Sequence, residues 1–260
     1  MELNYENYLQ LKAEKLLRVQ IAERFGIPDW KLKKHIANNG WGKKAPTLDH
    51  SSFSSYSKES AYWAGFIAAD GNVDDKSRIR LMLKHDDLRH LQKYNTFLKS
   101  TYAIQENTTK YNRCAVEYTS YQIRSELESK YNIVPVKSLI IQPPTQLPEE
   151  LIAHFIRGYF DGDGSVCESF SNRNSSTATF YATLVSGSLP FVKWLEAYLD
   201  LIGVTYNTQY WENKSQIKLN TNQAIKFLNS IYLESTEDTR LDRKYEIFKK
   251  VVIEHNRLTR

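Results

Sequence analysis

Two segments of this 260-residue chain share one pattern that constrains its fold. Residues 61–71 and 154–164 are each an apolar run of helical length that contains small residues and ends in Asp-Gly. Glycine within a helix costs about 1 kcal/mol relative to alanine, so its use at Gly65 and Gly158 indicates close approach of another backbone. We therefore expect the two segments to form helices that pack against each other.

The sequence after each segment continues in the same way. Two β-like segments, a helix, two further β-like segments and a second helix follow in both halves, and a terminal helix comes last. This order, αββαββα twice, predicts an α+β fold of two pseudo-symmetric repeats with antiparallel sheets. The expected parts are a small N-terminal helical module with a linker (residues 1–53), a first repeat (54–147) and a second repeat with a C-terminal helix (148–260).

Asp70 and Asp163 stand at the expected C-terminal ends of the paired helices, 93 residues apart. The C-terminus of a helix is partly negative, and two carboxylates brought together there repel each other. A divalent cation would offset both effects, and hard oxygen ligands suit Mg²⁺. The two aspartates are therefore the first candidates for a metal site.

The two segments resemble the paired motifs of a single-chain LAGLIDADG homing endonuclease. The matching residues are Trp63–Gly71 and Ile156–Gly164, and the resemblance extends over roughly residues 58–255. It implies that the antiparallel sheets form a DNA-binding saddle. It also implies a site-specific double-strand DNA endonuclease that hydrolyses two phosphodiester bonds across the minor groove.

The expected cofactor and partner come from the same resemblance. We expect Mg²⁺ as the metal, with Mn²⁺ substituting for it and Ca²⁺ supporting DNA binding without cleavage. The target is expected to be a long, pseudo-palindromic double-stranded DNA. Because one chain carries both motifs, the enzyme is expected to be a monomer.

The resemblance also implies the metal ligands. Asp70 and Asp163 match the acidic position that coordinates the catalytic metals. An earlier acidic position of the motif is Asp161 in the second segment but Ala68 in the first, which leaves the metal-binding position intact. The residues next to the two aspartates complete the expected metal site: Ala69, Gly71, Gly162 and Gly164.

Three lysines are expected to take part in catalysis by the same resemblance. Lys137 and Lys244 match basic residues near the end of each repeat that lie beside the scissile phosphates. Lys84 matches a position on an early strand, with Ser186 as its counterpart in the second repeat. The two repeats are therefore expected to be chemically unequal, with one strand cleaved less efficiently. Solvated surface lysines are the alternative for Lys137 and Lys244.

Alternate side chains of a strand point to the same face, so every second residue of the saddle can reach DNA. The basic and outward residues on the predicted strands and their turns are the candidates for these contacts. They are Lys76, Arg78, Arg80, Lys110, Arg113, Arg173, Lys214 and Lys218.

Residues 20–36 are typical of a helix-turn-helix. Ala22 is the small residue where two helices meet, Gly26 supplies the turn, and Pro28 suits the start of the second helix. This module would extend the DNA target or bind an operator on its own, and a helical hairpin packed on the body is the alternative. The residues on or near the recognition helix are Lys31, Lys33, Lys34 and His35.

Composition restricts the remaining classes of function. The formal charge of +5 and the pI near 8.9 are compatible with a nucleic-acid partner but do not establish one. No apolar run approaches the roughly 20 residues of a membrane helix, and the acidic, polar N-terminus is unlike a signal peptide. We expect a cytoplasmic protein of bacterial or phage origin. The alternative function is a non-cleaving DNA-binding regulator or an RNA maturase, which the intact aspartates disfavour.

Overall fold

The computed structural model forms two compact units, Met1–Pro46 and Thr47–Arg260. Within the residues it describes, no helix combines the length and the apolar character needed to cross a membrane. The described ranges are 1–42, 45–109, 111–170 and 178–258.

The boundary between the units lies earlier than the sequence predicts. Residues 47–53, which the sequence groups with the N-terminal module, are part of the second unit. The Thr47 backbone N–H donates to Thr101 Oγ1 at 2.8 Å, and the Phe53 side chain is fully buried in the core of the second unit. A Ser-rich stretch has the composition of a linker, but these contacts with residues far along the chain hold it in place.

The first unit contains three short helices around a small apolar core. Its helices are α1 (Tyr5–Ala13), α2 (Arg18–Arg24) and α3 (Asp29–Asn38). The buried side chains come from all three helices and from the turn after α2: Tyr8, Leu11, Ile21, Ala22, Phe25 and Leu32.

The second unit consists of two halves with the same order of elements. The first half contains α4 (Lys58–Asp70), β1 (Gly71–Val73), β2 (Arg78–Lys84), α5 (Leu88–Phe97), β3 (Gln105–Asn107), β4 (Arg113–Thr119) and α6 (Tyr121–Tyr131). The second half contains α7 (Glu149–Asp163), β5 (Ser165–Phe170), β6 (Ala178–Ser186), α8 (Leu189–Leu201), β7 (Asn207–Trp211), β8 (Lys214–Asn220), α9 (Thr221–Tyr232) and α10 (Asp242–Leu258).

Each half forms one four-stranded antiparallel sheet. The strand orders are β1-β2-β4-β3 and β5-β6-β8-β7, so corresponding strands of the two halves occupy the same places in their sheets. The predicted α+β fold of two pseudo-symmetric repeats is thereby confirmed.

Helices α4 and α7 pack against each other at the centre of the second unit. A Cβ atom on Gly65 would lie 2.0 Å from the Phe155 carbonyl oxygen, and one on Gly158 would lie 1.9 Å from the Tyr62 carbonyl oxygen. Only glycine fits at either position, because the obstacle is backbone that cannot move aside. The close approach that the small residues predict is therefore present, and it fixes the ends of the two helices side by side.

The sheets bury one face and leave the other open. Along β2, Ile79, Leu81 and Leu83 are buried in the core, and the side chains between them are exposed. This alternation follows from the two-residue period of a strand. It places Arg78 and Arg80 on the open face of the first sheet.

Candidate active site

Asp70 and Asp163 are the last residues of α4 and α7; β1 begins at the next residue, Gly71, and β5 begins at Ser165, after Gly164. A Cβ atom on Gly162 would lie 3.4 Å from Asp70 Oδ2 and 2.4 Å from Ala69 Cβ. The Asp70 carboxylate therefore lies against the last turn of the opposite helix, next to Asp163. The packing of the two helices brings together the aspartates that the sequence pairs.

The glycines after the aspartates allow the chain to pass from helix to strand in a crowded place. A Cβ atom on Gly71 would lie 2.7 Å from the Ile67 carbonyl oxygen, and one on Gly164 would lie 2.2 Å from Phe160 Cδ2. The predicted metal-site neighbours Ala69, Gly71, Gly162 and Gly164 thus shape the helix ends through their small size.

The surroundings of the two carboxylates disfavour their charged forms, although each side chain is partly exposed. Burial of the carboxyl group, and next the charge of Asp163, raises the pKa of Asp70 to about 6, against the opposing charges of Lys244 and Lys137. Burial also raises the pKa of Asp163, while Lys137 and Lys244 oppose the rise. A cation at this place would favour both ionised carboxylates.

Lys137 lies beside this pair and is buried rather than solvated. Its side chain enters from a 3₁₀ turn, and its Nζ lies 3.4 Å from the Ala69 carbonyl oxygen. Burial lowers its pKa, and the charges of Asp163 and Asp70 oppose the decrease. Lys137, Asp163 and Ser186 line one groove of about 280 Å³. The long contact with Ala69 leaves the ammonium with hydrogens to donate to a group in this groove.

Lys244 is buried and is held by the end of α7. Its Nζ donates to the carbonyl oxygens of Phe160 at 2.7 Å, Asp161 at 2.8 Å and Gly162 at 3.3 Å, and also to that of Gly164. Burial lowers the pKa of Lys244 to about 8. Because an ammonium has three hydrogens, these carbonyls use its whole donor capacity. Lys244 therefore stabilises the C-terminal turn that carries Asp163.

The two lysines occupy related places. Lys137 contacts the carbonyl of Ala69, the residue before Asp70, and Lys244 contacts the carbonyl of Gly162, the residue before Asp163. The contacts are equivalent under the pseudo-symmetry, but only Lys244 reaches the further carbonyls of α7. Both lysines are buried near the aspartates, so the alternative of solvated surface lysines is wrong.

Asp161 forms a buried polar cluster that the sequence analysis did not assign. Its carboxylate is 1% exposed and accepts hydrogen bonds from the Tyr62 hydroxyl at 2.8 Å, the Leu241 backbone N–H at 2.8 Å and the Tyr232 hydroxyl. Ala68 occupies the equivalent position on α4. The sequence shows the acidic residue in the motif but not its hydrogen-bond partners, because they lie 71 to 99 residues away in sequence.

The position of Lys84 differs from the expectation. Gly71 pairs with Leu81 and Asn72 pairs with Arg80, so Arg80 is the β2 residue beside the end of α4. Lys84 lies four residues further along β2, about 13 Å from Arg80, where it pairs with Arg113. Asp70, Arg80 and their neighbours line a groove of about 490 Å³ on the open face. The register of β1 on β2, which the sequence does not reveal, places Arg80, predicted only as a DNA contact, beside Asp70.

The register also corrects the expected counterpart of Lys84. Ser165 pairs with Thr183, as Asn72 pairs with Arg80, so Thr183 is equivalent to Arg80. Three residues beyond Thr183, Ser186 is therefore equivalent to Leu83 rather than Lys84. Ser186 does lie in the groove of Asp163.

Most of the predicted DNA contacts lie on the open faces of the two sheets or in their turns. Arg78 donates to Asp74 at 2.6 Å, and Arg80 lies 3.9 Å from Glu117, so both arginines have local acidic partners. Lys218 Nζ lies 4.5 Å from the ring centre of Tyr181. The other exposed residues of the set are Lys76, Arg113 and Lys214, whereas Lys110 and Arg173 lie outside the described residues.

In the first unit, Lys31, Lys33 and Lys34 are exposed on α3. His35 differs from them, because its ring packs edge-on against Trp41 with 4.6 Å between ring centres. The ring is half-buried, and a DNA contact by His35 stays a prediction.

The described residues contain no cluster of three or more His, Cys, Asp or Glu side chains that could hold a metal ion. The donor set at the helix ends consists of two carboxylates. Such a set fits Mg²⁺, which is commonly held by one or two carboxylates together with waters and substrate phosphates.

Comparison with known proteins identifies the fold. Residues 150–233 match the family model of a LAGLIDADG-like domain. The structure is similar to that of the I-LtrWI LAGLIDADG homing endonuclease bound to target DNA, with a TM-score of 0.52 and 11% identity over 75% of this chain and 89% of that one. It is also similar to the LAGLIDADG homing endonuclease I-GzeII in complex with its DNA target, with a TM-score of 0.50 and 12% identity over 77% and 92% of the two chains.

A third similar structure is I-SmaMI bound to an uncleaved DNA target in the presence of calcium ions. Its TM-score is 0.50 and its identity 13%, over 78% of this chain and 93% of that one. No curated protein sequence matches the chain. At these identities the likeness to solved structures concerns the fold.

Proposed function

Since this chain has the fold of the single-chain LAGLIDADG homing endonucleases, with a LAGLIDADG-like domain at residues 150–233, we propose that it is a site-specific double-strand DNA endonuclease. It hydrolyses one phosphodiester bond in each strand across the minor groove. The observation that carries this proposal is the meeting of Asp70 and Asp163 at the ends of α4 and α7. A protein that only binds DNA has no need of two repelling carboxylates there.

Divalent ions fit this pair of carboxylates. Asp70 and Asp163 would hold the ions, and Mn²⁺ would substitute for Mg²⁺. Bound there, the ions would supply charge stabilisation for the in-line attack of water on a phosphodiester. Ca²⁺ supports binding without cleavage, a role that is consistent with the calcium-containing complex of I-SmaMI with uncleaved DNA.

The two lysines have different roles in this proposal. Lys137 lines a groove with Asp163, and its ammonium stabilises the charge that develops on a phosphate. Lys244 acts through the carbonyls at the end of α7 and keeps the backbone around Asp163 in position. The two strands are therefore cut at centres that differ chemically.

The open faces of the two sheets supply the DNA contacts. The face of the first sheet carries Arg78 and Arg80, and that of the second carries Lys218 beside an aromatic ring. Two faces related by pseudo-symmetry favour a long target with two similar, unequal halves. Since both halves belong to one chain, the enzyme acts as a monomer. Its place of action is the cytoplasm, where bacterial and phage DNA lie.

The proposal is tested by selecting cleaved sites from a randomised DNA library with Mg²⁺. The wild-type protein is expected to cut one long site and to leave staggered ends. The double variant Asp70→Asn/Asp163→Asn is expected to cut nothing and to bind the selected site in Ca²⁺ as tightly as the wild type. The amide keeps the shape of the carboxylate, so the fold is retained.

A matched control is the double variant Glu59→Gln/Glu150→Gln. These carboxylates are exposed at the first turns of α4 and α7, at the ends opposite to Asp70 and Asp163. The control is expected to cut like the wild type. Cleavage of the library by the aspartate variant would refute the proposal. Tight binding without any cleavage by the wild type would favour a DNA-binding regulator instead.

A further inference from the structure

The unit Met1–Pro46 contains a helix-turn-helix that the nuclease proposal does not use. Helix α2 has seven residues, and α3 follows after four residues. Gly26 in this turn has φ +66°, a conformation that L side chains rarely adopt. The Ile27 N–H donates to the Ala22 carbonyl at 3.1 Å and closes the end of α2.

Two contacts fix the angle between α2 and α3. Ala22 is buried where the helices meet, and Leu32 of α3 is fully buried in the core of the unit. Arg18 at the start of α2 forms a bidentate pair with Asp29 at the start of α3, with distances of 2.7 and 2.8 Å. The two helix N-termini are thereby tied together, and the face of α3 opposite to Leu32 remains uncovered within the unit.

The uncovered face of α3 is basic and carries one large aromatic side chain. Trp30 is 66% exposed, and Lys31, Lys33 and Lys34 are exposed beside it. The single acidic residue of the helix, Asp29, is neutralised by Arg18. Residues 30–46 contain five lysines and no aspartate or glutamate, so the formal charge of this stretch is positive.

We propose that this face of α3 binds duplex DNA, with α3 lying in the major groove. A helix fits the width of that groove. Lys31, Lys33 and Lys34 contact phosphates, and the Trp30 ring packs on the wall of the groove. This site belongs to the unit Met1–Pro46, whereas the Asp70–Asp163 pair belongs to the second unit, and DNA binding by α3 does not depend on cleavage. In a DNA endonuclease it lengthens the recognised sequence beyond the part that the sheets contact.

The first test measures how binding of the full chain to a non-target duplex depends on salt. Each phosphate contact adds about 0.9 to the slope of log affinity against log salt concentration. The double variant Lys31→Gln/Lys34→Gln is expected to lower the slope by about 2. The matched control is Lys12→Gln/Lys15→Gln, which removes the same charge from exposed positions on and just after α1. It is expected to leave the slope unchanged.

The second test uses Trp30 as a reporter. Addition of duplex DNA is expected to quench the tryptophan fluorescence of the wild type, and the Trp30→Phe variant is expected to lose that part of the quenching. A folded unit in the variant is checked by far-ultraviolet circular dichroism. Equal slopes for both lysine variants, together with unchanged quenching in Trp30→Phe, would overturn the proposal and leave a helical hairpin.

A footprint on the cleaved site separates this proposal from the nuclease proposal. A ten-residue helix is about 15 Å long, which corresponds to about four to five base pairs. The variant Lys31→Gln/Lys34→Gln is expected to lose protection of about that length on one flank, whereas Lys12→Gln/Lys15→Gln is expected to keep the wild-type footprint. Cleavage by the wild type with identical slopes and footprints would sustain the nuclease and refute the α3 site. A lower salt slope for Lys31→Gln/Lys34→Gln, together with no cleavage by the wild type, would support the α3 site and refute the nuclease.

Discussion

The Asp161 carboxylate of α7 accepts a hydrogen bond from the backbone N–H of Leu241 at 2.8 Å. Leu241 directly precedes α10, and Lys244 follows three residues later with its Nζ on the carbonyls of the same helix α7. A side chain of α7 thus accepts from the backbone just before α10, and a side chain of α10 donates to the backbone of α7. The end of α7 that carries Asp163 is held by this connection.

The variant Asp161→Ala is expected to destabilise the second unit strongly. It leaves the hydroxyls of Tyr62 and Tyr232 and the N–H of Leu241 without their acceptor, and each buried unpaired group costs about 1–3 kcal/mol. We expect a loss of about 3 kcal/mol in the free energy of unfolding, measured with urea.

The control for this variant is Asp200→Ala, which removes an exposed acceptor of the Tyr206 hydroxyl at 3.2 Å. Its expected loss is below about 1 kcal/mol. Equal stability of Asp161→Ala and the control would mean that the buried cluster does not hold α10 to α7.

The variants Gly65→Ala and Gly158→Ala test the packing of α4 against α7. The added Cβ atom would meet backbone oxygens at 2.0 and 1.9 Å, so the helices must separate. Forced overpacking costs about 1–3 kcal/mol or more, and each variant is expected to lower the thermal midpoint of the second unit accordingly.

Gly42→Ala is the matched control for the helix-packing variants. A Cβ atom there would meet only Ile36 Cγ2, at an ordinary 3.5 Å. No loss of stability is expected. If Gly65→Ala behaved like Gly42→Ala in a melting experiment, the close helix pair would be wrong.

The raised pKa of Asp70 makes the stability of the metal-free protein depend on pH. Its pKa in the folded protein, about 6, exceeds the ordinary value of 3.8, so the folded chain holds a proton that the unfolded chain has already released. The contribution of Asp70 to stability therefore falls as the pH rises from about 4 to about 6. In EDTA, Asp70→Asn is expected to raise the melting temperature at pH 8 and to leave it unchanged at pH 3.5.

Addition of Mg²⁺ at pH 8 is expected to stabilise the wild type and to reduce the difference from Asp70→Asn. Melting curves with and without the ion measure this effect. A variant that is less stable than the wild type in EDTA at both pH values would show that the carboxylate is not repelled at this site.

Lys137 and Lys244 are expected to respond differently to removal of their charge. Lys244→Met leaves several carbonyls at the end of α7 without a donor and should cost about 2–3 kcal/mol. Lys137→Met removes one contact of 3.4 Å and should cost below about 1 kcal/mol. Urea unfolding distinguishes the two variants, and equal losses would contradict the distinction.

The central features of the fold were predictable from the sequence, because they depend on local patterns. The glycines and the terminal Asp-Gly of both segments predict the paired helices, and the 93-residue spacing of Asp70 and Asp163 predicts the repeat. The structure agrees, since the Cβ positions of Gly65 and Gly158 are filled by backbone of the opposite helix.

Features that depend on register or on distant contacts were not predictable. The resemblance points to Lys84 through its place on an early strand, but only the pairing of Asn72 with Arg80 shows which β2 residue lies beside α4. The burial of Lys244 against the carbonyls of α7 depends on contacts between residues more than 80 positions apart in sequence. The ring contact of His35 is with Trp41, which lies beyond the helix-turn-helix segment.

The most direct measurement of the account is single-turnover cleavage of the selected DNA site in Mg²⁺, with binding of the same site in Ca²⁺ recorded in parallel. The proteins compared are the wild type, Asp70→Asn, Asp163→Asn and the control Glu59→Gln/Glu150→Gln. We predict that each aspartate variant cuts at least about 100-fold more slowly, a loss of about 2.7 kcal/mol in transition-state stabilisation, while binding in Ca²⁺ stays within a few-fold. Cleavage by either aspartate variant at the rate of the wild type would contradict the assignment of the metal-binding pair.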